Sequence, residues 1–262
     1  MFNFLSIITK LRIILITNHL LFILAFFFAE PEWYHWVIYV LSLAIIGKIG
    51  GEVGFHRYFS HRSFKTAKWK ERLLLVLGSL NMVGSTLSWV GTHRTHHVHA
   101  DLPEDPHSPY QQHWVKIWAL VWKPFSIKPR YVSDMIRDPW QMFIHRWYFE
   151  LCIAVLIIIG CFNFNLLIFM IVLPAITQFH VGSVLIDIVC HKWGYRNFEV
   201  NDHSRNNIWV NIFNNLWGAD SPFHLYSATK RNVLVIGYCA VKIFVFAALV
   251  AMRCIDRHFS SL

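Results

Sequence analysis

Hydrophobic residues along this chain gather into runs long enough to cross a membrane, separated by segments of a different character. The first run covers residues 11–29 and is followed by Glu30, Pro31 and Glu32. It is long for a signal-peptide core, and no small-residue cleavage site follows, so it reads as a membrane helix. A second run covers 36–55, after a link, 30–35, that allows only a helical hairpin. From 148 to 187 the chain is apolar again, nearly twice the ~20 residues that one crossing needs. The turn-forming sequence Cys161-Phe-Asn-Phe-Asn165 interrupts that run. Two helices, 148–163 and 166–187, are therefore predicted.

Between the hairpins, 56–146 is polar and basic, with Arg57, Arg62, Lys65, Lys68, Lys70 and Arg72 near its start. Its apolar patch, 73–90, contains Gly78, Asn81 and Gly84 and predicts a buried or interfacial helix. A crossing there would put His56 and His93 on opposite sides of the membrane. Beyond His191 the pattern is mixed. Residues 233–252 are apolar apart from Lys242. They predict either a fifth crossing or, preferred here, a helix packed on the polar domain. The expected fold is an all-α integral membrane protein. Four transmembrane helices (11–29, 36–55, 148–163, 166–187) are capped by a helical domain, in one unit over 1–262.

Composition supports this reading. Hydrophobic residues make up 55% of the chain and charged residues 15%, against roughly 25% charged in a soluble domain. Disordered and collagen-like chains are excluded. The formal net charge is +9, but its distribution argues against a nucleic-acid partner. Lys and Arg concentrate in 56–146 and 192–231 and are absent from the loops 30–35 and 161–165. By the positive-inside rule the basic segments and both termini face the cytoplasm. The cysteines Cys152, Cys161, Cys190, Cys239 and Cys254 form no CxxC pair and read as small buried hydrophobes.

The 16 histidines carry the chemistry. His56 and His61 stand at the end of the second run, His93, His96 and His97 follow the apolar patch, and His191 follows the fourth run. Four residues on an α-helix return to within about 40° of the starting direction, so His93 and His97 can face one ion. His96 diverges from His97 by about 100° and suits a neighbouring ion. Five residues turn through about 140°, so His56 and His61 converge only if the helix ends between them, or serve different metals. These spacings favour a two-metal cluster. His19, His35, His99, His107, His113, His145, His180, His203 and His258 stand apart from the boxes and are expected to be ordinary surface or core residues. No His-Glu-x-x-His of the zincin type is present. A metal transporter is disfavoured, because the clustered histidines sit outside the predicted spans.

His56-Arg-Tyr-Phe-Ser-His61, Trp89-Val-Gly-Thr-His93-Arg-Thr-His96-His97, Asp105-Pro-His107 and Asp202-His-Ser-Arg-Asn-Asn207 together resemble the membrane fatty acid desaturases, most closely the delta-9 acyl-CoA or acyl-lipid type. The resemblance implies two non-haem irons held by His56, His61, His93, His96, His97, a third-box histidine and the extra ligand His191. It implies consumption of O2 and electrons from an external donor, such as cytochrome b5 or ferredoxin with its reductase. No donor motif lies in this chain. The basic face suits an acidic donor or a CoA phosphate, or is simply the positive-inside signal. Four residues before the extra ligand the family often carries an asparagine; here Asp187 stands there, a carboxylate able to fill that role or bind iron directly. Asp105, Asp202 and Asn206 are candidates to hydrogen-bond the ligand rings.

The third box departs from the family. Gly-Glu-x-x-His-x-x-His-His is expected, and Trp217-Gly-Ala-Asp-Ser-Pro-Phe-His224 is found, keeping only Gly218 and His224. Permitted codons for 216–223, read one base out of frame, give Phe-Gly-Glu-Arg-Ile-His-His, so a compensated frameshift would explain the break. The expected function is oxygen-dependent desaturation of a fatty acyl chain carried on CoA or lipid, at delta-9. The alternatives are a di-iron hydroxylase on the same scaffold and a catalytically impaired relative.

Overall fold

The structure is a computed structural model that describes residues 4–119, 126–196 and 202–210. The third-box segment with His224, and the apolar run 233–252, lie outside the described residues. Among the described residues the regular elements are helical. Four helices are long and apolar enough to cross a membrane. They are α1 (Phe4–Phe28), α2 (Trp33–Ser60), α6 (Pro139–Phe162) and α7 (Phe164–Lys192). Between them lie α3 (Lys68–Ser79), α4 (Thr86–His99) and the short α5 (Trp114–Trp118).

The spans run past the apolar stretches that predicted them. α6 begins at Pro139 because the Asp138 side chain accepts from the Trp140 and Gln141 N–H groups and Pro139 suits the first turn. Its polar residues are accommodated: Glu150 pairs with Lys10 of α1 at 3.3 Å, and Arg72 of α3 grips Asp138 through two bonds of 2.8 and 2.6 Å. Residues 73–90 form no single helix. They divide between α3 and α4 around a turn in which Met82 and Gly84 have positive φ. Ser85 caps α4 by accepting from Ser88 N–H and also lies 2.6 Å from His145 Nδ1 of α6.

From Leu43 to Ser60 the second span is wound as a π-helix. Its partner is α3, and the two backbones nearly touch. A Cβ on Gly50 would fall 2.4 Å from the Leu77 carbonyl carbon, and one on Gly78 would fall 2.3 Å from the Phe55 ring. Glycine is required at both positions. The core continues through Tyr39, Leu75, Val90, Tyr148 and Val172, drawn from all the long helices except α1, which adds Ile14. Outward faces stay apolar, with Ile16, Leu20 and Ile157 exposed, as expected where lipid is the solvent.

The two short loops meet at one end of the bundle. Glu30 N–H donates to Asn165 Oδ1 at 3.1 Å, and Asn165 Nδ2 donates to Glu30 O at 2.9 Å. His56 and His191, at the far ends of α2 and α7, mark the opposite end. One expectation fails here. Cys152 and Cys190 are buried, but Cys161 is exposed, beside the exposed Phe162 at the end of α6. Among the described residues no neighbour covers its helix face.

Candidate metal centre

His56, His61, His93 and His97 offer one ring nitrogen each, and these atoms all lie within 4.8 Å of one another. The Nε2 atom of His61 is 2.9 Å from that of His56 and 3.2 Å from that of His93, and those of His93 and His97 are 3.0 Å apart. α4 supplies the second pair on one face, as its four-residue spacing predicts. The His56–His61 pair converges for a local reason. The helix ends at His61, and its last turn is of the π type, whose hydrogen bonds close five residues back. His61 N–H donates to His56 O at 3.0 Å, so the spacing of the box is the spacing of the hydrogen bond. Trp89 stacks on His93 with ring centroids 4.8 Å apart and supports that ring.

His96 points away from this group, as expected, towards a second one. Its ring centroid lies 5.2 Å from that of His191 and 6.3 Å from that of His107. Asp187 of α7 lies on the same side, its Oδ2 3.5 Å from His107 Nδ1. His96 and His97, with centroids 5.7 Å apart, join the two groups. The structure thus brings seven of the eight predicted site residues into two adjoining clusters; His224 lies outside the described residues. Of the histidines set apart in the sequence, His107 enters the second cluster. His19 and His180 meet each other between α1 and α7, Nε2 to Nε2 at 2.8 Å.

Carboxylates face three of the rings at Nδ1 and hydrogen-bond two of them. Asp105 holds His96 at 2.9 Å, Asp101 holds His191 at 3.1 Å, and Glu52 lies 3.3 Å from His56. An Nδ1–H bond to a carboxylate fixes the tautomer that leaves Nε2 free to bind a metal. Asp105 was a sequence candidate for this work. Asp202 instead accepts from Ser204, and Asn206 pairs its backbone with Tyr195. Asp101 and Glu52 carried no motif signal, although Glu52 stands one helical turn before His56. Glu52 is buried and is balanced by Arg57 Nε at 2.6 Å.

Electrostatics sort the rings. Burial, with the charge of neighbouring histidines, pushes His61 down to about 4 and His97 down to about 3. Both are therefore neutral donors at physiological pH. Burial also disfavours the charged form of His96, but the hydrogen bond and charge of Asp105 outweigh it and raise His96 to about 9. Burial works against ionisation of Asp101 and Asp105 too, yet His191 and His96 respectively hold them below the ordinary carboxylate range. Burial lowers His107. Imidazole and carboxylate donors in two adjoining pockets suit iron, and the residues present fit a pair of such ions.

Comparison with known proteins agrees with this chemistry. The family profile described as fatty acid desaturase matches residues 31–226. An sn-1 stearoyl-lipid 9-desaturase of Anabaena variabilis is 31% identical over 217 residues, covering 80% of this chain and 79% of that protein. An sn-2 palmitoyl-lipid 9-desaturase of Nostoc sp. is 30% identical, covering 72% of this chain and 69% of that protein. An acyl-CoA C20 Delta5-desaturase of Anemone leveillei is 32% identical, covering 75% and 64%. With its spans and histidine clusters, the chain belongs to the fatty acid desaturase family, membrane oxidoreductases of lipid metabolism.

Proposed function

We propose that this chain desaturates a fatty acyl chain at delta-9, with O2 as oxidant and electrons from a separate donor such as cytochrome b5 or ferredoxin with its reductase. The carrying observation is the convergence of four imidazoles within 4.8 Å at the polar end of an apolar bundle. Two of the relatives are named for 9-desaturation of a lipid-bound acyl chain, which favours an acyl-lipid over an acyl-CoA substrate. In this reading His56, His61, His93 and His97 hold one iron, and His96, His191, Asp187 and His224 contribute to the second. The whole chain, 1–262, forms one desaturase unit, with both termini and the boxes on the cytoplasmic side.

Bound iron would supply the oxygen activation that an unactivated C–H bond demands, since no acid or base begins such a reaction. The chain's own residues do the rest. Asp105 and Asp101 keep the Nδ1 protons on His96 and His191, so that Nε2 donates, and Glu52 lies beside Nδ1 of His56.

Expression in a host lacking its own delta-9 desaturase, followed by chromatography of fatty acid methyl esters and location of the double bond, tests this reading. A new monounsaturated product at C9 is expected. A hydroxylated acyl chain would replace it with the hydroxylase reading. The altered third box at 217–223 favours a second reading, an impaired relative. Fewer than two irons per purified chain and no product would establish that one.

A further inference from the structure

Asp101 holds more than one segment in place. It follows α4 directly, at φ 62°, a conformation that Asp and Asn tolerate better than most residues. The strained backbone aims a buried carboxylate at three donors. His191 Nδ1 lies 3.1 Å from Oδ2, Ser108 Oγ donates to Oδ1 at 2.8 Å, and the His203 backbone N–H donates to Oδ2 at 2.7 Å. These donors come from the end of α7, from the loop after α4 and from the segment 202–206. The contacts span 90 and 102 positions of sequence. Tyr110 repeats the connection: its OH donates to His191 O at 2.9 Å, and its ring lies 4.2 Å from that of His203.

We propose that Asp101 is a positioning residue for the second metal pocket. Its carboxylate orients His191 and at the same time docks residues 202–206, the part of the chain that leads in sequence to His224. The inference rests on the desaturase reading, because His191 matters only if it is a ligand. A carboxylate suits this position because its charge strengthens the bond to His191, whereas a neutral amide offers one weaker acceptor oxygen and turns its NH2 group towards Ser108.

The test is metal binding by the purified full-length protein. Iron per chain is measured by elemental analysis, and Co(II) titration is followed by visible absorption, for the wild type, Asp101→Asn, Asp101→Glu and Ser108→Ala. Asp101→Asn keeps both size and tolerance of positive φ. It should weaken the second ion about 10- to 100-fold, the usual cost of losing an outer partner of a metal ligand. The first ion and the helical circular dichroism should be unchanged. Asp101→Glu should recover part of the loss, and Ser108→Ala should bind as many ions as the wild type. Two ions at wild-type affinity in Asp101→Asn would overturn the inference. So would equal loss of both ions, or the same selective loss in Ser108→Ala, because the carboxylate–His191 contact would then not be responsible. A wild-type chain that binds neither iron nor Co(II) would instead remove the desaturase reading, and this inference with it.

Discussion

The His61 backbone N–H is bonded to the His56 carbonyl, and the Nε2 atoms of the same two residues lie 2.9 Å apart. The two rings therefore share one turn of helix. Inserting an alanine between Tyr58 and Phe59 should break that register, leave one ring out of the first cluster and abolish product. Loss of one iron per chain with unchanged helix content is the expected measurement.

His96→Ala and His61→Ala remove a ligand from different clusters. Each should eliminate detectable desaturation while the protein still purifies as a folded membrane protein. Product formation by His96→Ala would show that His96 is no ligand, whatever its contact with Asp105.

The close approach of α2 and α3 makes a separate prediction about stability. Gly78→Ala places a methyl group against the Phe55 ring, and overpacking of this kind costs roughly 1–3 kcal/mol. The thermal midpoint in detergent should fall. Phe55→Leu, which removes the ring from the contact, should recover part of the loss.

Metal-free protein should be most stable near pH 6.5, with histidines opposing one another on either side. His61 and His97 resist protonation in the fold. Below about 6.5 the unfolded chain takes up protons that the native one refuses, and stability falls as the pH drops towards 4. His96 behaves oppositely: its value, raised to about 9, gives stability that is present below 6.5 and lost as the pH climbs through 9. Unfolding midpoints between pH 4.5 and 9.5 should trace this maximum, and His97→Gln should flatten the acid limb.

The third box can be tested in the gene itself. Resequencing from the codon for Asn211 to that for Ser227 should reveal a shifted frame that restores Gly-Glu-x-x-His if the chain is an ordinary desaturase. If the present sequence stands, iron content below two per chain is expected.

The four spans were legible because lipid leaves a helix few alternatives, so apolar length alone announces it. Their ends were less so. The start of α6 depends on the Asp138 cap and its Arg72 partner, 66 positions away in sequence, and hydropathy does not register such a contact. The pairing of His93 with His97 followed from helical geometry. That of His56 with His61 needed the π winding of α2, which the apolar pattern does not encode. Asp101 escaped notice, and His107 was set among the ordinary histidines, for a different reason: their meaning comes from α7, which folds back from far along the chain.

The bond between Glu30 and Asn165 bears on how such a protein is made. Each residue sits in the turn of a hairpin, α1–α2 or α6–α7, and the second hairpin is synthesised long after the first. The two turns can find each other only once the second hairpin stands beside the first. The clasp is thus a latch that closes at the end of biogenesis, at the face opposite the histidines. A chain stalled with one hairpin inserted would have His56 and His61 in place but not His191.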